Sequence, residues 1–312
     1  MKIKSLETLA AEHAKKERIS QLNSEVAEFA SVREDVFNQM LERGKPEYKW
    51  FILGIRILRR LSGSFERSHL MENYYIAMRF VDDVADGDVP LPDGYASSAD
   101  YVQQKIDNLT ARGLPKDKVD ELFKLCFKLA KEAGFDISEE TVDILESLLF
   151  DAKRKGTHQI FSGQELYDHF YKLDIRGVIG GALKACGESP EHFSAIQPLG
   201  EADRIYYNLR DLKEDLKAGL VNISAEDCER LDITIDTLKS RKYKNHPGVL
   251  QWCKEQAKKG LTLIEEYQKR KKDIHLQVLI DVALKLAFEA KAKAFMADVA
   301  QGNLKRVFDR HA

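Results

Sequence analysis

The chain has 312 residues, in which 49 lysines and arginines are balanced by 51 aspartates and glutamates, giving a formal net charge of −2. This balance argues against a nucleic-acid-binding protein, because such proteins carry a broad excess of positive charge. Hydrophobic residues make up 44% of the chain and charged residues 32%, a mixture typical of a globular protein with its own core.

Scattered cysteines and a polar N-terminus indicate the compartment. The four cysteines are Cys126, Cys186, Cys228 and Cys253, and they form no CxxC pair. We therefore expect neither a disulfide framework nor a zinc site, and a reducing compartment for the protein. The N-terminal stretch MKIKSLETLAAEHAKKERIS is too polar for a signal peptide, and no segment has the ~18–20 apolar residues of a membrane span. We therefore predict a cytoplasmic protein, and peripheral attachment to a membrane surface stays open.

Helical periodicity runs along nearly the whole chain. Apolar residues recur at spacings of three and four, as in ELFKLCFKLAKEAG, and no alternating strand pattern occurs. Breaks that contain glycine, proline or other turn residues fall at 44–46, 62–64, 88–94, 113–115, 134–136, 187–190, 219–224 and 245–248. The sequence predicts an all-α protein with a helical extension over residues 1–45 and one compact helical domain over residues 46–312.

The segment GIRILRR places Arg56, Arg59 and Arg60 on one predicted helix. Three arginines so close together suit a phosphate group or a membrane surface. The sequence favours a solvated helix face instead, with a phosphate or membrane contact as the alternative.

The first acidic segment, FVDDVADGD, ends a predicted helix over residues 64–87. Residues on this helix that step by four, three and four share one face. They are Tyr75, Arg79, Asp82 and Asp86, with Asp83 beside them. Carboxylates near a helix C-terminus are unfavourable, and a bound divalent cation such as Mg²⁺ would offset that cost. The alternative is a solvated acidic helix end.

A second acidic segment, EADRIYYNLRDLKEDLKAG, repeats this arrangement. Its stripe has the same four-three-four steps and consists of Arg204, Asn208, Asp211 and Asp215, with Glu214 beside Asp215. Helical bundles commonly build polar sites from facing helices. Two such stripes therefore predict one metal and phosphate site between helices.

The two acidic motifs, in this order, resemble those of the squalene/phytoene synthase family in the class I trans-isoprenoid synthase superfamily. The family pattern Y-x-x-x-R-x-x-D-D-x-x-D is matched in full by residues 75–86, and the R-D-x-x-E-D part of the second pattern by residues 210–215. Between them, YKLDIRGVIG (171–180) matches the family's Y-x-x-x-x-x-G-x-x-G. SGSF (62–65) resembles its N-terminal S-x-S-F.

Several positions depart from the family pattern. Tyr207 stands where the family has the asparagine of its second motif, and Asn208 follows one position later. Arg204 replaces an upstream glutamine, and Leu220 replaces the arginine after the motif glycine. These departures leave the substrate and the product open more than the fold.

The resemblance implies an all-α, single-domain isoprenoid synthase-type bundle with a central cavity. It implies a prenyltransferase of terpenoid or carotenoid biosynthesis that condenses two prenyl diphosphates, farnesyl or geranylgeranyl, head to head to a squalene- or phytoene-type hydrocarbon. Mg²⁺ is the implied metal, and NADPH is implied only for a squalene-type product. Prenyl diphosphates are the implied partners, nucleic acid is not, and the oligomeric state is left open.

The resemblance also implies a role for each site residue. Mg²⁺ would be held by Asp82, Asp86, Asp211 and Asp215, flanked by Asp83 and Glu214. The diphosphate would be bound by Arg79, Arg204, Arg210 and Asn208. The catalytic candidates are Arg79, Tyr75 and Tyr171, the two tyrosines because their ring faces can stabilise a carbocation.

Two other functions stay open. A terpene cyclase, or a prenyltransferase that alkylates a small polar acceptor, would keep the fold, and the charges of Asp174, Arg176 and Arg204 suit a polar co-substrate. A non-catalytic homologue kept as an assembly factor would be expected to lose the metal-binding acids, which both motifs retain.

Overall fold

The computed structural model describes residues 6–42, 46–61, 64–111 and 113–308. Every regular element within these ranges is helical, which confirms the all-α prediction. None of the helices in this part of the chain combines the length and the hydrophobicity that a bilayer span requires. The SGSF motif lies partly outside the described residues, because Ser62 and Gly63 fall between two of these ranges.

The α-helices are, in chain order, α1 (Leu6–Glu28), α2 (Ala30–Glu42), α3 (Pro46–Leu61), α4 (Phe65–Ala85), α5 (Ser98–Thr110), α6 (Lys118–Glu132), α7 (Ser138–Arg154), α8 (Gly163–Phe170), α9 (Gly181–Cys186), α10 (Phe193–Arg210), α11 (Leu212–Lys217), α12 (Ala225–Arg230), α13 (Ile235–Lys239), α14 (Pro247–Arg270), α15 (Val278–Leu284), α16 (Ala290–Ala300) and α17 (Lys305–Phe308). Segments of π-helix at Tyr171–Gly180 and Lys285–Glu289, together with short 3-10 turns, connect some of them.

The chain divides into two compact units. The first contains Met1–Asp83 and Arg112–Asp136, and the second contains Val84–Ala111 and Ile137–Ala312. The division therefore falls inside α4, within the first acidic motif. The predicted extension over residues 1–45 belongs to the first unit, and its separateness from the rest stays a prediction.

In the first unit, α1 and α2 each bury one face. The buried apolar residues are Leu22 and Val26 of α1, Phe29 between the two helices, and Val36, Phe37 and Met40 of α2. Ion pairs join α1 to α6 nearer the surface: Lys128 Nζ lies 2.6 Å from Glu25 Oε1, and Arg18 Nη1 lies 2.9 Å from Glu132 Oε2. Pairs of this kind contribute about 0–1 kcal/mol each, so burial of the apolar faces is what fixes these helices.

In the second unit, α10 packs against α14 and α16 around the main apolar core. Representative core residues are Ile196, Leu199, Leu209, Ile264 and Met296. Trp252 of α14 is also buried, and its indole N–H donates to Asp227 Oδ2 at 3.1 Å, so its polar atom is satisfied. α10, which carries most of the second acidic motif, is therefore anchored along its length.

Gly177 lies in the π-helical segment where that segment packs on α7. A Cβ atom at Gly177 would overlap Ile144 Cγ1 and would lie 2.5 Å from the carbonyl oxygen of Lys172. A Cβ atom at Gly180 would lie 3.7 Å from its nearest neighbours, which is an ordinary van der Waals distance. The first of the two glycines is therefore required by close packing, and the second is not.

Gly177→Ala is expected to lower the free energy of unfolding by about 1–3 kcal/mol, because Ile144 and the π-helical backbone must shift to admit a methyl group. Gly180→Ala is the matched control and should be neutral or slightly stabilising, since alanine is favoured over glycine in helices by about 0.5–1 kcal/mol. Thermal unfolding followed by circular dichroism compares the two variants. Equal midpoints would contradict the close contact at Gly177.

Candidate functional site

The first acidic motif lies on the last turns of α4, where one arginine binds two aspartates. Arg79 Nη1 donates to Asp82 Oδ2 at 2.8 Å, and Arg79 Nη2 lies 2.5 Å from Asp83 Oδ1. Steps of three and four place both carboxylates within reach of the same guanidinium. The Asp83 side chain is 1% exposed and that of Asp82 is 32% exposed. The more buried acid is thus Asp83, which the sequence analysis placed only beside the stripe.

Asp86 lies just beyond the end of α4, whereas the sequence analysis placed it on the helix. α4 ends at Ala85, and Gly87 follows with a φ of +68°. Asp86 is exposed, and the Lys155 ammonium donates to its backbone carbonyl oxygen. The predicted helix over residues 64–87 was too long because a left-handed glycine ends α4 within the motif.

The two candidate catalytic tyrosines are both half-buried. In the first unit, the Tyr75 hydroxyl lies 3.6 Å from Met40 Sδ of α2. In the second unit, Tyr171 is the first residue of the π-helical segment, and its ring stacks on that of Tyr167 at a centroid distance of 5.9 Å. Segments of π-helix are rare and are often found at functional sites.

The second acidic motif spans a break between two helices, and Asp211 is the residue at the break. α10 ends at Arg210 and α11 begins at Leu212, with Asp211 at φ −99° and ψ 4°. This sparsely populated region of backbone conformation is common among active-site residues. Backbone hydrogen bonds continue through the break, because the Asp215 N–H donates to the Asp211 carbonyl at 2.8 Å. The helix that carries the second motif is therefore interrupted at Asp211, but the four-residue step to Asp215 is kept.

Arg210 binds the carboxylate of Asp211 with two N–H groups, of which Nε lies 2.8 Å from Oδ1. The same guanidinium lies 4.4 Å from the centre of the Tyr207 ring. Lys291 Nζ of α16 lies 5.1 Å from that centre and donates to the Tyr207 hydroxyl at 3.4 Å. The Arg204 guanidinium lies 5.7 Å from the same centre. Tyr207, at the position of the family asparagine, thus contacts three cations through its ring.

Asp215 is held by a chain of hydrogen bonds that begins on α7. Asn222 Nδ2 donates to Asp215 Oδ2 at 2.9 Å, and Arg154 Nη2 donates to Asn222 Oδ1 at 2.7 Å. The Arg154 side chain is 3% exposed and also donates to the Val221 carbonyl. Burial raises the pKa of Asp215 to about 7, against the opposing charge of Arg204. A carboxyl group in this position favours an additional cation.

Three buried polar atoms beside the motif have no hydrogen-bond partner among the described residues, namely Asp203 Oδ1, Arg204 Nε and Asn208 Oδ1. Arg204 Nη1 donates to Asp174 Oδ2 at 3.1 Å, and its guanidinium lies 4.4 Å from the centre of the Phe170 ring. Burial raises the pKa of Asp203 to about 7. Because unpaired buried polar groups are costly, these atoms suit a bound polar ligand.

Arg176 of the π-helical segment is bound by acids of α7. Its Nη1 lies 3.0 Å from Glu139 Oε1, and its other N–H groups donate to Asp143. The hydrogen bond to Asp143 raises the pKa of Arg176. Its charge is therefore matched within the fold, unlike the polar atoms around Arg204.

Four residues around the second motif were not predicted from the sequence, namely Asp203, Arg154, Asn222 and Lys291. Asp203 had a signal, because it lies four residues after Leu199 and three before Tyr206, on the apolar stripe of α10. When such a helix packs, an acid on its apolar stripe either pairs with a cation or has its pKa shifted by burial. The other three carry no local signal, since each reaches the motif only through tertiary contacts.

The oxygen donors of the two motifs fit Mg²⁺, which prefers carboxylate and amide oxygens. Asn208 Oδ1 is a buried oxygen without a hydrogen-bond partner among the described residues, and burial raises the pKa of the Asp215 carboxyl group to about 7. Asp86 and Glu214 are exposed. Among the described residues, no three His, Cys, Asp or Glu side chains lie close enough together to hold an ion by themselves.

Comparison with known proteins identifies the fold. No family model matches the chain, and no curated protein matches it in sequence. Squalene synthase HpnC from Alicyclobacillus acidocaldarius matches in structure with a TM-score of 0.63 and 16% identity, over 88% of this chain and 95% of that chain. A dehydrosqualene synthase in complex with ligand matches with a TM-score of 0.55 and 16% identity, over 89% and 99%. The chain therefore has a squalene/phytoene synthase-like fold of the all-α isoprenoid synthase type.

Proposed function

We propose that this chain is an Mg²⁺-dependent prenyltransferase that condenses two prenyl diphosphates, farnesyl or geranylgeranyl, head to head. The observation that carries the proposal is the second motif, in which Asn208, Asp211 and Asp215 supply oxygen donors at a helix break on a squalene synthase-like fold. In each motif, an arginine also forms an ion pair with an aspartate of the same motif. A non-catalytic assembly factor would not be expected to preserve this set.

In this proposal, the carboxylates of Asp82, Asp86, Asp211 and Asp215 hold the metal, with Asp83 and Glu214 beside them. Bound Mg²⁺ would neutralise the charge that develops on the departing diphosphate. Asn222 and Arg154 orient the Asp215 carboxylate from behind, which keeps this ligand in place before substrate arrives.

Arg79, Arg204, Arg210 and Asn208 bind the diphosphate in the same proposal. Arg79 and Arg210 each already bind a carboxylate of their own motif. The guanidinium fork carries five N–H donors, so each arginine can keep its aspartate and donate to a phosphate oxygen with the remaining groups.

The carbocation left after diphosphate departure needs aromatic faces and protection from water. Tyr75 and Tyr171 supply such faces, and stacking on Tyr167 fixes the Tyr171 ring. The product is completed either by hydride from NADPH or by loss of a proton, so NADPH is required only for a squalene-type product.

A second function keeps the fold but alkylates a small polar acceptor, or cyclises a single prenyl chain. The unpartnered buried atoms of Asp203, Arg204 and Asn208 favour a polar co-substrate, which could satisfy them. Arg176 adds nothing to this alternative, because Asp143 and Glu139 match its charge.

The two functions are separated by product analysis. The purified chain is incubated with farnesyl or geranylgeranyl diphosphate and Mg²⁺, with and without NADPH. A hydrocarbon twice the length of the substrate chain supports head-to-head condensation, and NADPH dependence identifies the squalene type. A cyclised monomer, or transfer to an added polar acceptor, supports the alternative. Failure to turn over either substrate, with no Mg²⁺-dependent binding of diphosphate, contradicts both.

A further inference from the structure

The first unit contains a cavity of ≈ 320 Å³ whose walls are mostly arginine. Helices α2 and α3 contribute four guanidinium groups and one carboxylate, and α4 contributes a second carboxylate. The lining residues are Arg33, Glu34, Arg56, Arg59, Arg60 and Glu72. None of them belongs to either acidic motif. The GIRILRR segment, for which the sequence favoured a solvated helix face, thus forms one wall of a cavity.

The two carboxylates do not neutralise the four arginines. Glu72 is 2% exposed, and it lies 2.7 Å from Arg59 Nη1 and 3.8 Å from Arg33 Nε. Glu34 is more loosely placed, at 3.5 Å from Arg56 Nη2 and 4.0 Å from Arg33 Nε. The lining residues that the structure describes therefore carry a net positive charge, on a chain whose formal net charge is −2.

Two further observations concern the electrostatics of these arginines. Arg33 Nη1 is buried and has no hydrogen-bond partner among the described residues, so one edge of its fork is unpaired. Burial, together with the charges of Arg59 and Arg33, lowers the pKa of His69 on α4 to about 4. The positive potential of the cavity thus extends to a neighbouring ring, which is neutral near pH 7.

We propose that this cavity binds a phosphate group at a site separate from the two acidic motifs. Arginine forks match phosphate oxygens in pairs, and several forks around one cavity can bind a doubly charged group. A volume of ≈ 320 Å³ is at the lower end of ligand pockets, which span about 300–1,000 Å³, so it suits a phosphate, a diphosphate or a lipid headgroup. Because arginine supplies the positive charge, binding here requires no metal.

The phosphate group can come from a small free anion or from the headgroup of an anionic lipid. Leu53 and Ile57 of α3 are 46% and 43% exposed, and they lie one turn apart beside Arg56 and Arg60. Exposed apolar side chains next to arginines are typical of helices that contact a lipid surface. The experiment therefore tests both sources of the same chemistry.

The first arm uses isothermal titration calorimetry of the full chain with inorganic diphosphate, in EDTA and at low ionic strength. The parent chain is expected to bind. The variant Arg56→Gln/Arg60→Gln should bind about ten-fold more weakly for each guanidinium lost. Both side chains are exposed, so this variant should keep the parent's thermal midpoint. Arg230→Gln is the matched control, since Arg230 is 50% exposed and Arg56 is 49% exposed.

The second arm uses sedimentation with phosphatidylcholine vesicles, with and without phosphatidic acid. A lipid source predicts binding only to vesicles that contain phosphatidic acid, and loss of that binding in Arg56→Gln/Arg60→Gln. The proposal is overturned if the parent chain binds neither diphosphate nor these vesicles, or if the double variant binds as the parent does. Asp211→Asn should lose prenyl transfer and keep this metal-free binding, so the cavity and the acidic motifs are tested separately.

Discussion

Asp211→Asn is expected to reduce turnover of a prenyl diphosphate by about 10²–10³-fold or more, while the chain keeps its helical content. Asp211 occupies the break between α10 and α11, and its backbone N–H donates to the Tyr207 carbonyl at 2.9 Å. Asparagine preserves that backbone bond and the side-chain volume. The substitution replaces one carboxylate oxygen by an NH2 group and removes the negative charge that would bind the metal and that now binds Arg210.

Steady-state turnover with Mg²⁺, together with circular dichroism, measures this effect. Glu229→Gln is the control, because Glu229 is an exposed acid on the nearby α12 and should leave turnover unchanged. Asp82→Asn in the first motif should cause a loss similar to that of Asp211→Asn, since each motif supplies acids to the same proposed metal site. Full turnover in either aspartate variant would contradict the metal assignment.

The helical stripes were predictable because hydrogen-bonded helix geometry places steps of three and four on one face. The Arg79 pairings with Asp82 and Asp83 follow from that geometry alone. The break at Asp211 could not be predicted in this way, since NLRDLKED contains neither glycine nor proline. Backbone hydrogen bonds continue across the break, so the spacing of residues in the sequence does not reveal where the helix is interrupted.

The supports of the second motif could not be predicted, for a different reason. Arg154 and Asn222 are 68 residues apart in the chain, yet Arg154 donates to Asn222, and Asn222 in turn donates to Asp215. Such contacts depend on how α7 packs, which local spacing does not specify. The relative burial of Asp82 and Asp83 has the same origin, because helix periodicity identifies a face but not the neighbour that covers it.

Asp203→Asn is expected to stabilise the chain, and the gain should grow between about pH 4 and pH 7. Burial raises the pKa of Asp203 to about 7 in the folded protein, and Asp174 adds to the rise while Lys291 opposes it. An unfolded chain ionises this carboxyl near pH ~4. Between these values the unfolded state releases a proton that the folded state keeps, so rising pH favours unfolding.

Asparagine does not ionise in this pH range, so the stability of the variant does not fall with pH through this group. A shift of about three pKa units corresponds to a difference on the order of 4 kcal/mol, fully developed above pH 7 and absent below pH 4. Urea unfolding at several pH values from 4.5 to 8.5 measures it, with the exposed Asp236→Asn as a control whose difference from the parent should not vary with pH. If Asp203→Asn instead became less stable than the parent as pH rises, the Asp203 carboxyl group would be ionised in the folded protein. The charges of Lys291 and Arg204 would then lower its pKa more than burial raises it. The Asp203 carboxylate would already be paired with these cations, so the polar atoms beside Asn208 would not require a ligand.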